Sequence, residues 1–259
     1  MNKTLLFVLL AILICDIQAQ TDEPVVIEQV AQTIAVDPQG NVYAVDDATL
    51  YKYAPDGALL YNFTNNMLGG IASIDVDNPL KIMLFYRDAG SIVFLDDKLS
   101  PIGDFIDLFS KGLTTISLAT YSTKNNLILF DESNADLIIL DFYFNEKERI
   151  HYNFNPFHPV MLKDINETKI FMQDPQNGIY FFDSFGTYDK NIAILSDSPA
   201  QVIKDYIFYI KNNQLISYNY SRLETDMLAE LPEETRQALV YLNKIILSDG
   251  KKISINKLK

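Results

Sequence analysis

The stretch "NVYAVDDATLYKYAPDG", residues 41 to 57, decides how the chain is to be read. It holds two apolar runs, Val42 to Val45 and Leu50 to Tyr53, each closed by a turn that contains Asp. Short runs of Val, Tyr, Leu and Ala between Asp, Gly and Pro read as β-strands, and the Asp between them opens a tight turn by accepting backbone N–H bonds. One such hairpin would be unremarkable alone.

The same unit returns five times. It stands as "LFYRDAGSIVFLDDKL" (84 to 99), "LILFDESNADLIILDF" (127 to 142), "KIFMQDPQNGIYFFDSFG" (169 to 186), "YIFYIKNNQLISYNYS" (206 to 221) and "KIILSDGKKISINKLK" (244 to 259). The residues opening the turns are Asp46, Asp88, Asp131, Asp174, Asn212 and Asp249, spaced by 42, 43, 43, 38 and 37 positions. A repeat of about 40 residues with about four short strands is the period of a β-propeller blade. Before each pair lies a further β-prone run fit to be the innermost strand: "TIAVDP", "IASIDVD", "ISLATYS", "VMLKDI", "AQVIK" and "QALVYL". After it comes a fourth, outer run such as "ALLYNF" or "PIGDFIDL". Helical periodicity is nearly absent, and "LPEETRQAL" reads as a single turn within a connection.

The ends of the chain close the count. The last unit stops after its third strand, whereas "VVIEQV", Val25 to Val30, is a spare strand before the first full unit. Pairing the two removes two exposed edges. The expectation is therefore an all-β, six-bladed propeller closed by an N-terminal strand that completes the last blade. Five blades stay open because the third and fourth strands of units four and five are irregular, while a sandwich of two antiparallel sheets does not explain the spacing.

The stretch "IAVDPQGNVYAVDDATLYKYAPDGALL", residues 34 to 60, resembles the repeats of secreted six-bladed propellers of the NHL-like type. The second unit, "IDVDNPLKIMLFYRDAGSIVFLDDKL", is similar to envelope propeller proteins of Gram-negative bacteria. There is no Trp for a WD40 signature, and the one Gly pair, Gly69-Gly70, does not recur from unit to unit as in kelch repeats. The resemblance implies fold and compartment, and no activity comes with it.

Composition narrows the rest. Lys3, the apolar run Leu5 to Ile14 and the polar "CDIQAQ" have the anatomy of a signal peptide over residues 1 to 19, with cleavage before Gln20. Residues 20 to 259 then form one propeller domain, secreted or periplasmic. The sole cysteine, Cys15, would anchor a lipid under a competing reading, but Ile14 stands where such a signal wants a small residue. Once the leader is removed no cysteine remains, which excludes thiol catalysis, disulfides and cysteine metal sites. A net charge of −13 with no basic block argues against nucleic acid. No later apolar run is long enough to span a bilayer. The expected state is a monomer whose partner is a protein or glycan at the cell envelope.

In a propeller the turns between second and third strands share a face with the connections between blades. Asp46, Asp88, Asp131, Asp174 and Asp249 should therefore ring that top face, either as turn formers or as a binding surface. Arg87 is the exception within the ring of aspartates, because no other unit has a cation immediately before its turn Asp. It can pair with Asp88 or a neighbouring carboxylate, or present its planar fork to a ligand carboxylate. Tyr86 beside it is an aromatic contact or an inward strand residue. The two histidines, His151 and His158, are too few for a metal centre by themselves. No cofactor is expected, and Ca²⁺ is the ion the carboxylates leave open, with Asp37 and Asp75 as candidate ligands and Asp77 beside them. No nucleophile elbow, zinc-protease helix or phosphate loop is present. Sequons occur at Asn62, Asn166 and Asn219.

Two functions compete. One is a non-catalytic binding or scaffold propeller that docks its partner through the top face. The other is a Ca²⁺-dependent lactonase-like or lyase-like enzyme using carboxylates at the channel mouth. Convergence of several of those carboxylates on one point would favour the enzyme.

Overall fold

Strands buried on both faces should read as unbroken apolar runs, as the central strands of units two and three do, whereas Gln214–Asn219 of unit five alternates between buried and half-buried. The computed structural model describes residues 23–122, 124–154, 156–165 and 168–258. The leader with Cys15, the cleavage point before Gln20 and the sequon residue Asn166 lie outside these residues.

The first strand, β1 (Val25–Ile27), precedes the first blade. Blade 1 is β2 (Thr33–Val36), β3 (Val42–Asp46), β4 (Thr49–Tyr53) and β5 (Leu59–Thr64). Blade 2 is β6 (Ser73–Asp75), β7 (Ile82–Tyr86), β8 (Ser91–Leu95) and β9 (Ile106–Asp107). Blade 3 is β10 (Ile116–Tyr121), β11 (Leu127–Asp131), β12 (Asp136–Leu140) and β13 (Glu146–His151). Blade 4 is β14 (Met161–Ile165), β15 (Lys169–Asp174), β16 (Gly178–Asp183) and β17 (Tyr188–Ile192). Blade 5 is β18 (Gln201–Ile203), β19 (Tyr206–Lys211), β20 (Gln214–Asn219) and β21 (Glu224–Glu230). Blade 6 is β22 (Gln237–Tyr241), β23 (Lys244–Ser248) and β24 (Ile253–Lys257), and β1 is its fourth strand.

Each blade is an antiparallel meander, so the chain makes a six-bladed β-propeller of the expected kind. The seam is antiparallel, with Val25 opposite Ile255 and Ile27 opposite Ile253. The segment around Pro232 is the single turn expected, closed by the Thr235 N–H on the Pro232 carbonyl. Among the described residues the one helical piece is a 3-10 turn at Phe109–Lys111, and no helix is long and apolar enough to cross a membrane.

Apolar clusters fill the gaps between neighbouring blades. Between blades 1 and 2 lie Tyr43, Val45, Leu84 and Tyr86, and between blades 2 and 3 lie Phe85, Ile92, Ala119 and Leu129. The gap between blades 6 and 1 is filled in the same way, by Ile27, Ile34 and Val42 against Ile246 and Ile253. The ring is thus closed by packing as well as by the seam. Side chains such as Phe85, Phe171 and Phe181 are wholly buried, and truncating one to Ala costs about 3 to 5 kcal/mol.

Backbone amides of successive innermost strands are also clasped by glutamines. Gln237 accepts from the Ile34 N–H and donates to the Gln32 carbonyl. Gln201 makes the same pair of bonds with Val240, and Gln173 with the Ala200 N–H and Ser198 carbonyl. A side-chain amide matches a peptide group donor for donor, so each clasp satisfies backbone that the packing buries.

Candidate functional site

The turns joining second to third strands share one face, and the expected residues are all on it. Asp131, Asp174 and Asp249 are bound by their own turns. Asp131 accepts N–H bonds from Ser133 and Asn134, and Asp174 from Gln176 and Asn177. Asp249 does the same with Lys251 and Lys252. The Thr115 hydroxyl adds a bond to Asp131, and the His158 N–H adds one to Asp174. Burial would push the Asp131 and Asp174 carboxyls up, but these donors hold both below the ordinary carboxylate range. Asp249, on the surface, is held low mainly by the Lys252 and Lys251 N–H groups. Asp46 ends β3 opposite Thr49 across a two-residue turn.

Blade 2 is built differently. Its turn, Arg87 to Gly90, is closed by the Gly90 N–H on the Arg87 carbonyl. Gly90 is needed there: its φ is +55°, and a Cβ would fall 2.3 Å from the Phe109 ring. Arg87 pairs with neither Asp88 nor a neighbouring carboxylate. Its Nε donates to the Ser117 carbonyl of blade 3 at 3.1 Å, and among the described residues Nη1 and Nη2 have no partner. Ser117 is the extra residue where the register of β10 shifts between Ile116 and Leu118. Such a bulge re-aims the backbone, here towards the arginine.

Arg87 and Asp88 line an open hollow of 320 Å³ together with Gly70, Ile71 and Ala72, from the connection between blades 1 and 2. Three buried side-chain atoms lack a hydrogen-bond partner among the described residues: Ser73 Oγ, Tyr86 Oη and Ser117 Oγ. In the chain all three are close to residues of this corner, though none lines the hollow. Ser73 follows Ala72, Tyr86 precedes Arg87, and Ser117 is the residue whose carbonyl Arg87 binds. Burial pushes the Tyr86 phenol up to about 12, so it is a neutral donor at ordinary pH.

Asp37 and Asp75 are elsewhere. Both lie at the other end of the innermost strands, the length of a strand, about 10 to 13 Å, from the top face. Asp37 accepts from the Gln39 and Asn41 N–H groups, the Asn41 amide and the Tyr43 hydroxyl. Asp75 of blade 2 accepts from the Thr120 hydroxyl of blade 3 at 2.5 Å and from Lys163 Nζ of blade 4 at 3.1 Å. Lys163 also pairs with Asp77 at 2.9 Å. Burial alone would raise the Asp75 carboxyl, yet the Lys163 ammonium, the Thr120 hydroxyl and the Asp77 N–H hold it below the usual range. Three innermost strands are thereby tied together.

The histidines are apart from each other in role as well as in place. His151 Nδ1 lies 3.0 Å from Asp136 Oδ1, a bond that raises its pKa, and His158 Nδ1 lies 3.7 Å from Glu132. Among the described residues no three His, Cys, Asp or Glu are grouped so as to hold a metal. Sequence reasoning had missed Ser73 and Ser117, and a buried serine carries no pattern that would reveal it.

No family model matches the chain, and no curated protein matches it. Solved structures do. A streptogramin B lyase is similar with a TM-score of 0.60 and 15% identity, over 87% of this chain and 78% of that one. The virginiamycin B lyase from Staphylococcus aureus gives 0.59 and 12%, over 87% and 80%. PorZ, a bacterial surface component of the type-IX secretion system of Porphyromonas gingivalis, gives 0.53 and 11%, over 92% of this chain and 39% of that one. At such identities the likeness is one of fold.

Proposed function

We propose that this propeller is a secreted or periplasmic binding module of the NHL-like type, docking a protein or glycan partner at the cell envelope through its top face. The observation that carries the reading is the guanidinium fork of Arg87. Its Nε is fixed to the Ser117 carbonyl while Nη1 and Nη2 have no partner among the described residues, beside a hollow lined by Asp88, Gly70, Ile71 and Ala72. A planar fork with both terminal nitrogens available suits a carboxylate. The ligand is therefore a carboxylate, as on an acidic sugar or a peptide terminus. The protein's overall negative charge disfavours polyanions and favours a single carboxylate on an otherwise neutral partner. Against the Ca²⁺-dependent alternative, Asp37 and Asp75 are already engaged by cationic or neutral donors.

Binding of oligosaccharides ending in a uronic acid or its neutral counterpart, and of peptides with a free or amidated terminus, tests this by calorimetry. We expect one carboxylate-bearing series to bind, Arg87→Ala to weaken it at least about tenfold and Arg87→Lys to recover only part, because Lys lacks the fork. Binding that ignores both the carboxylate and Arg87 would sink the reading.

A further inference from the structure

Every blade of a propeller presents an outer edge, and this chain guards its edges unequally. β13 carries Glu146, Lys147, Glu148 and Arg149, β17 carries Asp189 and Lys190, and β21 carries Glu224, Asp226 and Glu230. β9 is two residues long and β1 three. Charge and shortness are the usual defences of a strand edge against pairing with another chain. β5, "LLYNFT", has neither: six residues, no charge, and Leu59, Leu60 and Tyr61 exposed by 53%, 42% and 39%. Val26 of the neighbouring β1 is 48% exposed and extends the apolar rim.

We propose that β5 is a docking edge for a second copy of this chain, the two β5 strands pairing antiparallel so that two blades merge into one eight-stranded sheet. The occupant follows from charge. In a two-fold antiparallel pair each strand meets its own sequence, so a strand with like charges repels itself. Among the outer strands of five residues or more, β5 alone brings no charged side chain opposite its copy. At long range two copies of net charge −13 repel each other, which only a locally neutral contact can overcome. A single strand pair with its flanking side chains falls at the small end of specific interfaces, near about 1,000 Å², so the dimer is weak and concentration-dependent. The proposal departs from the monomer expected from the sequence.

Sedimentation equilibrium up to about 300 µM protein, at low and at high salt, reads the association directly. We expect a reversible dimer that tightens with salt as the long-range repulsion is screened. Asn62 is exposed near the middle of β5, so Asn62→Lys and Asn62→Glu should each weaken the dimer at least about tenfold, and mixing the two should restore it. Asp226→Lys on β21 should leave it unchanged. A protein that stays monomeric at high salt, or a dimer that both Asn62 variants form as well as the parent, overturns the proposal. Circular dichroism of each variant separates lost pairing from lost folding.

Discussion

Leu242 sits at the tip of the two-residue turn between β22 and β23 with φ +51°, and its side chain is left in solvent. Leu223, the last residue of the four-residue turn before β21, is likewise exposed with φ +60°. Left-handed backbone costs a leucine roughly 1 to 2 kcal/mol, which is why turns of this kind favour Gly, Asn or Asp. Leu242→Asn is accordingly expected to stabilise the protein by about 1 kcal/mol, read as a higher urea midpoint with an unchanged slope. The five-residue turns on the bottom face follow another rule. Asp37, Asp96, Asp141 and Asp183 each accept the N–H groups two and four residues on. The third residue after each is left-handed: Gly40, Leu99, Phe144 and Gly186. Glycine exposes this turn in the sequence at 37 and 183, whereas Leu99 and Phe144 conceal it at 96 and 141, so only part of the pattern could be read beforehand.

Among elements, the innermost strands depend on polar ties and the middle strands on apolar burial. Lys163→Met would leave Asp75 buried beside no cation, at a cost of about 3 to 5 kcal/mol at neutral pH, while the double change with Asp75→Leu should recover much of it. Urea unfolding of the two variants checks this. The pH dependence follows from the direction of the Asp75 shift. Its folded pKa lies below its unfolded value of about 3.9, so its contribution is present above that pH and is lost as pH falls through the folded pKa. Stability of Asp75→Asn should therefore fall less steeply than the parent's below about pH 4. The strands themselves were legible because burial on both faces writes continuous apolar runs such as Ile82 to Tyr86. The ties were not, since Lys163, Gln201 and Gln237 find partners in other blades and no local pattern records a contact set by the ring.

At the scale of the molecule, closure rests on three residues at the start of the described chain. Ile27 is buried between blades 6 and 1, whereas Val26 beside it faces out. Ile27→Ala should cost about 2 to 4 kcal/mol and Val26→Ala almost nothing, and a broadened unfolding curve for the first would show the seam opening before the ring. The blade count and its closure were readable from a mismatch of numbers, a missing last strand and a spare first one. The corner at Arg87 was half readable: the cation stood out among the units whose turn opens with Asp, but the bulge at Ser117 that aims it arises from register, which the repeat hides.

The pairing of Val25 with Ile255 also bears on how the protein comes to exist. The first strand of the ring to be synthesised finds its partner only after the five complete blades between them have been made. Blades can form one after another as the chain grows, but the disc cannot shut until β24 has been made. The contact that closes the ring joins strands far apart in sequence and is therefore slow to find, so the growing chain carries β1 unmated while five blades are made.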